Sequence, residues 1–138
     1  MAEIRFSEFF RVLSESEAAA LSPTALAFIG DAVHSLFVRT SLCLSHDCRS
    51  GKLHKLAAAE VNAGAQSKGY ELIKDALTEE EDSIYKRGRN AEKSSVPKNA
   101  DIVDYRRASG LEAVFGYLYL TGRQARLFQL LGSIYGKS

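Results

Sequence analysis

The chain has 138 residues, 46% hydrophobic and 25% charged, the balance of an ordinary globular protein and too short for two domains, so residues 1–138 are read as one domain. Eighteen basic residues against seventeen acidic ones leave a net charge of +1, which excludes a global field that gathers polyanions and leaves any such partner to a local patch. Charges interrupt the opening MAEIRFSEFF and every apolar run, and none approaches the ~18 uncharged residues of a membrane span, so a cytoplasmic protein without membrane contact is expected.

Only two prolines and long stretches with apolar residues three and four apart predict an all-α fold. A short helix is expected from Phe6 to about Leu13. Ser22-Pro23 then places a capping hydroxyl before a proline at the first helical position, opening a helix through Leu26, Ile29, Val33 and Phe37 to about Leu42. The segment from Ser45 to Leu53, with Gly51 and polar residues, reads as a loop. One alanine-rich helix should follow from about Leu53 through Leu56, Val61 and Ala65 to Ile73. Thr78 with Glu81 three residues on forms a capping box for a helix lasting to roughly Arg89. A polar loop from Ala91 to Ala100 leads to a helix begun by Asp101, carrying Val103, Ala108, Leu111, Phe115 and Leu118 and stopped by Gly122. A last amphipathic helix, Gln124 to Tyr135, closes the chain.

The near-neutral total hides a segregation of charge. From Glu71 to Asp82 six acidic residues face a single lysine. From Lys86 to Arg107 seven basic residues (Lys86, Arg87, Arg89, Lys93, Lys98, Arg106 and Arg107) outnumber three acidic ones, a local net of +4.

Two acids stand alone in apolar helices. Asp31 lies in Leu26-Ala27-Phe28-Ile29-Gly30-Asp31-Ala32-Val33, and Glu112 in Gly110-Leu111-Glu112-Ala113-Val114-Phe115-Gly116-Tyr117-Leu118. A desolvated carboxylate needs a cation, a metal ion or hydrogen bonds; the alternative is that each faces water or caps a neighbour. Gly30 and Gly116 each cost about 1 kcal/mol inside a helix, and close approach of two backbones beside the acids would justify them. His34 reads as a surface or dimer-facing histidine rather than a general base, and Tyr117 and Tyr119 as core and interface. Cys43 and Cys48 read as free thiols, because Cys43, His46, Cys48 and His54 lack the paired short spacing of a zinc knuckle.

The string Leu26 to Val33 resembles the signature helix of the ribonuclease III endonuclease domain, and Leu111 to Leu118 resembles its second acidic helix. Between them Lys86-Arg87-Gly88-Arg89-Asn90-Ala91, Val96-Pro97-Lys98-Asn99 and Asp104-Tyr105-Arg106 resemble the basic helix and loop of the Mini-III (Mini-ribonuclease III) branch. The resemblance runs from about Leu21 to Tyr135. Ala27 and Ser109 stand where most ribonuclease III enzymes carry two further carboxylates, a departure that the Mini-III branch shares. Glu92 departs from the basic residue expected after Ala91.

The resemblance implies the ribonuclease III helical fold and a magnesium-dependent endoribonuclease acting on double-stranded RNA. It implies maturation of the 23S ribosomal RNA precursor with 5′-phosphate and 3′-hydroxyl products. Asp31 and Glu112 would be the catalytic residues and Mg2+ ligands. Lys86, Arg87, Arg89, Lys93, Lys98 and Arg106 would meet RNA phosphates. A homodimer is implied, with Phe28 at its interface, and there is room for a ribosomal protein as a further partner. The alternative is a non-catalytic relative that binds RNA or the ribosome; the retained Asp31 and Glu112 argue against it.

Overall fold

A computed structural model describes residues 5–9, 11–45, 50–91, 96 and 98–136. Eight α-helices follow one another among the described residues: α1 (Phe6–Phe9), α2 (Glu15–Ala19), α3 (Pro23–Ser45), α4 (Ser50–Val61), α5 (Ala63–Ile73), α6 (Glu79–Asn90), α7 (Ile102–Leu120) and α8 (Gln124–Tyr135), with a 3-10 turn at Lys74–Ala76. No strand occurs among them, and the expected all-α class holds.

The predicted caps operate. The Ala25 amide donates to Ser22 Oγ at 3.1 Å, Thr78 and Glu81 form the reciprocal capping box, and Asp101 accepts from the Val103 and Asp104 amides. Gly122 at φ 72° ends the α7 turn, and Gly136 at φ 66° ends α8, both in the left-handed region that favours glycine.

Three boundaries differ from the sequence reading. The first predicted helix ends early, at Phe9, and an unpredicted one, α2, follows where Ser14 forms a capping box with Glu17. The loop expected up to Leu53 gives way to helix at Ser50. The single alanine-rich helix is two, because Asn62 leaves the helical conformation to cap α5, accepting from the Ala65 amide at 2.9 Å while its Nδ2 donates to the Ala58 and Ala59 carbonyls of α4. A side chain that satisfies both helix ends makes the break stable.

Helix α7 is the axis around which the rest is built. From Ala108 to Leu118 every residue except Glu112 is buried, the signature of a helix surrounded by protein. It packs most extensively on α3, then on α6 and α5. Leu26, Leu111, Val114, Phe115, Leu118 and Leu130 join one apolar core with Tyr85 and Tyr117. Helix α8 is fastened to α6 by the guanidinium of Arg126, which donates to both oxygens of buried Glu81 at 2.8 and 2.9 Å and to the Ala76 carbonyl at 2.6 Å.

Helix α3, with 23 residues and a mean hydropathy of 1.2 over its most apolar window, is long and apolar enough to cross a membrane by length and composition. It carries Asp31 and Arg39, however, and lies along α7 as a principal packing partner.

Candidate active site

The site grows from a helix crossing. A β-carbon placed on Gly30 would lie 1.7 Å from the carbonyl oxygen of Glu112, and one on Gly116 would lie 2.0 Å from that of Leu26. The backbones of α3 and α7 therefore touch over a full turn, as the two glycines suggested. Asp31 follows the contacting glycine directly, and Glu112 is itself the residue contacted. The crossing thus brings together two acids 81 positions apart in the chain.

Their surroundings decide between the alternatives that the sequence left open. Asp31 is exposed and Glu112 half-buried, so Asp31 meets solvent rather than a closed apolar environment. Ala27 is half-buried and Ser109 buried, the Ser109 hydroxyl donating to the Tyr105 carbonyl at 3.1 Å. Neither adds a carboxylate. Among the described residues no group of three or more His, Cys, Asp or Glu is placed to hold a metal ion. Oxygen donors from two carboxylates, one open to water, suit a hard cation that retains several waters and takes further oxygens from substrate.

His34, one turn beyond Asp31 on α3, corrects the reading of a surface histidine. It is 2% exposed, its Nε2 lies 2.5 Å from Tyr135 Oη, and its ring tilts against Phe115. Burial pushes its pKa down to about 4, against the opposing pull of the Asp31 charge. It is neutral near pH 7 and enclosed, so it serves packing rather than proton transfer to a solvent-borne substrate. The Tyr135 hydroxyl also donates to the Glu60 carbonyl at 3.4 Å, tying α8 to the end of α4.

The basic segment divides once its partners are visible. Lys86 pairs with Asp82 at 2.8 Å. Arg87 turns inward and donates to the carbonyls of Ala19 and Leu21 at 3.2 and 3.3 Å, closing the end of α2. Arg107 pairs with Glu71 at 2.8 Å. Arg89 donates Nε–H to Asn90 at 3.0 Å and lies over the Tyr85 ring. Lys98 and Arg106 are exposed. Lys93 and Glu92 lie outside the described residues, as do His46 and Cys48; Cys43 is exposed. The count of positive charges therefore overstates what is open to an anion.

Phe28 is 79% exposed, which removes packing within its own chain as the reason for an aromatic there. Along the same face of α3, Ala32, Leu36, Thr40 and Leu44 are exposed at spacings of four, a continuous stripe down the helix. Next to it opens a groove of about 490 Å³ whose walls include Val33, Phe37, Tyr119 and Phe128. Sequence periodicity did not show this groove, because α8 supplies one wall and α3 the other.

A backbone-to-backbone crossing of two helices with one acid on each defines the class, and comparison with known proteins agrees. Residues 24–123 match the Ribonuclease III domain family, and the chain belongs to that family. Its similarity is to one branch. It is 42% identical over 126 residues to the Mini-ribonuclease 3 of Thermoanaerobacter, covering 91% of this chain and 89% of that protein. It is 46% identical over 109 residues to the Mini-ribonuclease 3 of Streptococcus pneumoniae, covering 78% and 85%. A crystal structure of a Fusobacterium nucleatum protein superposes with a TM-score of 0.76 at 31% identity, covering 85% of this chain and 93% of that one. The fold is that of a ribonuclease III-family endoribonuclease, and the chain is similar to the Mini-ribonuclease 3 proteins of that family.

Proposed function

We propose that the chain is a homodimeric, magnesium-dependent endoribonuclease that cuts double-stranded RNA at Asp31 and Glu112. The observation that supports this reading is the Gly30–Glu112 backbone contact, with exposed Asp31 next to it on α3 and half-buried Glu112 part of it on α7. Bound between them, magnesium would supply an activated water and offset charge on the leaving 3′ oxygen. Asp31, open to solvent, and Glu112, supported by the buried turn of α7, would hold the ion on one side and leave its other positions to water and phosphate. Products with 5′-phosphate and 3′-hydroxyl ends follow from water attacking phosphorus with loss of the 3′ oxygen. Lys98, Arg106 and Arg89 would receive the duplex backbone, which a protein reads by phosphate, 2′-hydroxyl and shape. Maturation of the 23S ribosomal RNA precursor in the cytoplasm, with or without a ribosomal protein, rests on the family resemblance.

The exposed stripe of α3 supports the homodimer. Two copies related by a two-fold axis would bury Phe28 and provide one site for each strand of a duplex.

Incubation of duplex and single-stranded RNA with and without magnesium tests the reading. Cleavage of the duplex alone, dependent on magnesium and lost in Asp31→Asn and Glu112→Gln with an unchanged circular dichroism spectrum, is expected. The loss should be roughly a thousandfold or more, the scale of several kcal/mol of charge stabilisation. Near-normal turnover in either variant overturns it. Phe28→Asp should sediment as a monomer; a monomeric wild type at micromolar concentration removes the dimer.

A further inference from the structure

Tyr70 on α5 and Tyr85 on α6 stack face to face, with ring centroids 4.0 Å apart and planes 6° from parallel. A guanidinium lies over each ring: Arg89 over Tyr85 at 5.8 Å, and Arg107 over Tyr70 at 5.7 Å. The two arginines are not equivalent. Arg107 is held by Glu71 at 2.8 Å and approaches Ser67 Oγ at 3.5 Å, so it fastens Tyr70. Arg89 commits only its Nε–H, to Asn90, and its two terminal nitrogens have no protein acceptor among the described residues.

Tyr85 is fixed in place by α7. It is 1% exposed, and a β-carbon on Gly110 would come within 2.7 Å of its ring, so α7 presses directly against it. One turn on, Gly88 meets α7 in the same way: a β-carbon there would lie 2.9 Å from both the Ala113 β-carbon and the Ser109 carbonyl. The α6 and α7 backbones thus cross at the turn that carries Glu112, and Arg89 leaves α6 next to that crossing.

We propose that Tyr85, braced by Tyr70, is a positioning residue for RNA: it restrains the Arg89 guanidinium so that its two terminal nitrogens meet a phosphate near the α7 turn that carries Glu112. A guanidinium within cation–π reach of a fixed aromatic ring and bonded through its Nε has less rotational freedom to lose when its two terminal nitrogens close on two phosphate oxygens. A lysine, or an arginine away from any ring, would have to be ordered at the moment of binding. The proposal rests on the reading of the basic segment as the RNA track. It adds that the tyrosine pair makes one cation of that track rigid next to the cleavage site.

The test is a double-mutant cycle on binding of a fluorescein-labelled RNA duplex with magnesium withheld, paired with steady-state cleavage in magnesium. Arg89→Ala is expected to weaken binding and to lower the slope of log affinity against log salt by roughly 0.7 to 0.9. Tyr85→Leu is expected to weaken binding about two- to fivefold, the scale of one cation–π contact, as a rise in KM with kcat retained. On the Arg89→Ala background the same substitution should do nothing further. Tyr85→Phe, which keeps the ring, should bind as wild type, a rescue that a need for the hydroxyl would not give. If Tyr85→Leu is too unstable to purify, Tyr70→Leu, at a half-buried site, takes its place in the cycle with the same expectation. Equal weakening by the leucine variant with and without Arg89, or no weakening at all, overturns the positioning role while leaving the RNA track intact. No change in binding or salt slope for Arg89→Ala overturns the track at this residue, and the proposal with it.

Discussion

The α3–α7 crossing and the basic segment from Lys86 to Arg107 are the two parts of the proposed RNA site, but they are made in opposite ways. At the crossing, backbone rests on backbone, with no room for a single methyl group at Gly30 or Gly116, and the acids are positioned by atoms that cannot move independently. In the basic segment the charges sit at the ends of long side chains, and Lys86, Arg87 and Arg107 are already engaged with Asp82, the end of α2 and Glu71. Residues required at fixed positions are placed by main chain; residues that need only supply charge are left to side-chain competition.

The largest effect should come from breaking the crossing. Gly30→Ala would drive its methyl group into the Glu112 carbonyl, and a loss of roughly 4 kcal/mol or more is expected, enough to unfold much of the protein. Near-wild-type stability in a urea melt would mean that the helices can separate, and the rigid half of the comparison would fall.

Next in size is a pH effect one turn below the crossing. His34 takes up a proton at about 4 in the folded protein against an ordinary value of 6.5. The unfolded chain therefore binds the proton first as pH falls. Its contribution is complete above the ordinary value and is lost progressively as pH drops toward the folded one, up to about 3 kcal/mol in total. Urea melts in EDTA between neutral pH and about 4.5 should show this loss as close to one proton taken up on unfolding, absent in His34→Gln. An identical pH slope in that variant would show that His34 opens to water.

Within the basic segment the committed and uncommitted charges should separate. Arg87→Ala removes two hydrogen bonds to main-chain carbonyls and should lower stability by about 1 to 3 kcal/mol, because the bonds are charge-assisted but the group is only half-buried. Its direct effect on the salt dependence of RNA binding should be small.

The smallest change in stability, and the clearest in binding, belongs to Lys98 and Arg106. Both are exposed, so the double alanine variant should melt within about 0.5 kcal/mol of wild type. Its salt slope should nevertheless fall by roughly 1.4 to 1.8, two phosphate contacts' worth. If Arg87→Ala moved the salt slope as much as this pair, the division of the segment would be wrong.

Much of this was legible in the sequence, and for local reasons. Ser22-Pro23, the Thr78–Glu81 box and Asp101 mark helix starts because a cap and the amides it satisfies lie within four residues of one another. Gly30 and Gly116 marked a close approach because glycine inside an apolar helix is otherwise a cost. Tertiary structure decided what depends on neighbours distant in the chain. Asn62 divided one expected helix because its side chain could serve two helix ends at once. His34 went inside because Tyr135, 101 residues later, supplied a hydroxyl partner. Arg87 was drawn from the surface to the end of α2, and Tyr70 met Tyr85 only because α7 brought α5 and α6 to the same side. A sequence records which residues can donate, accept or carry charge. Which of them remain free for a substrate is settled by competition among all such groups, once the chain has brought distant ones within 3 to 4 Å.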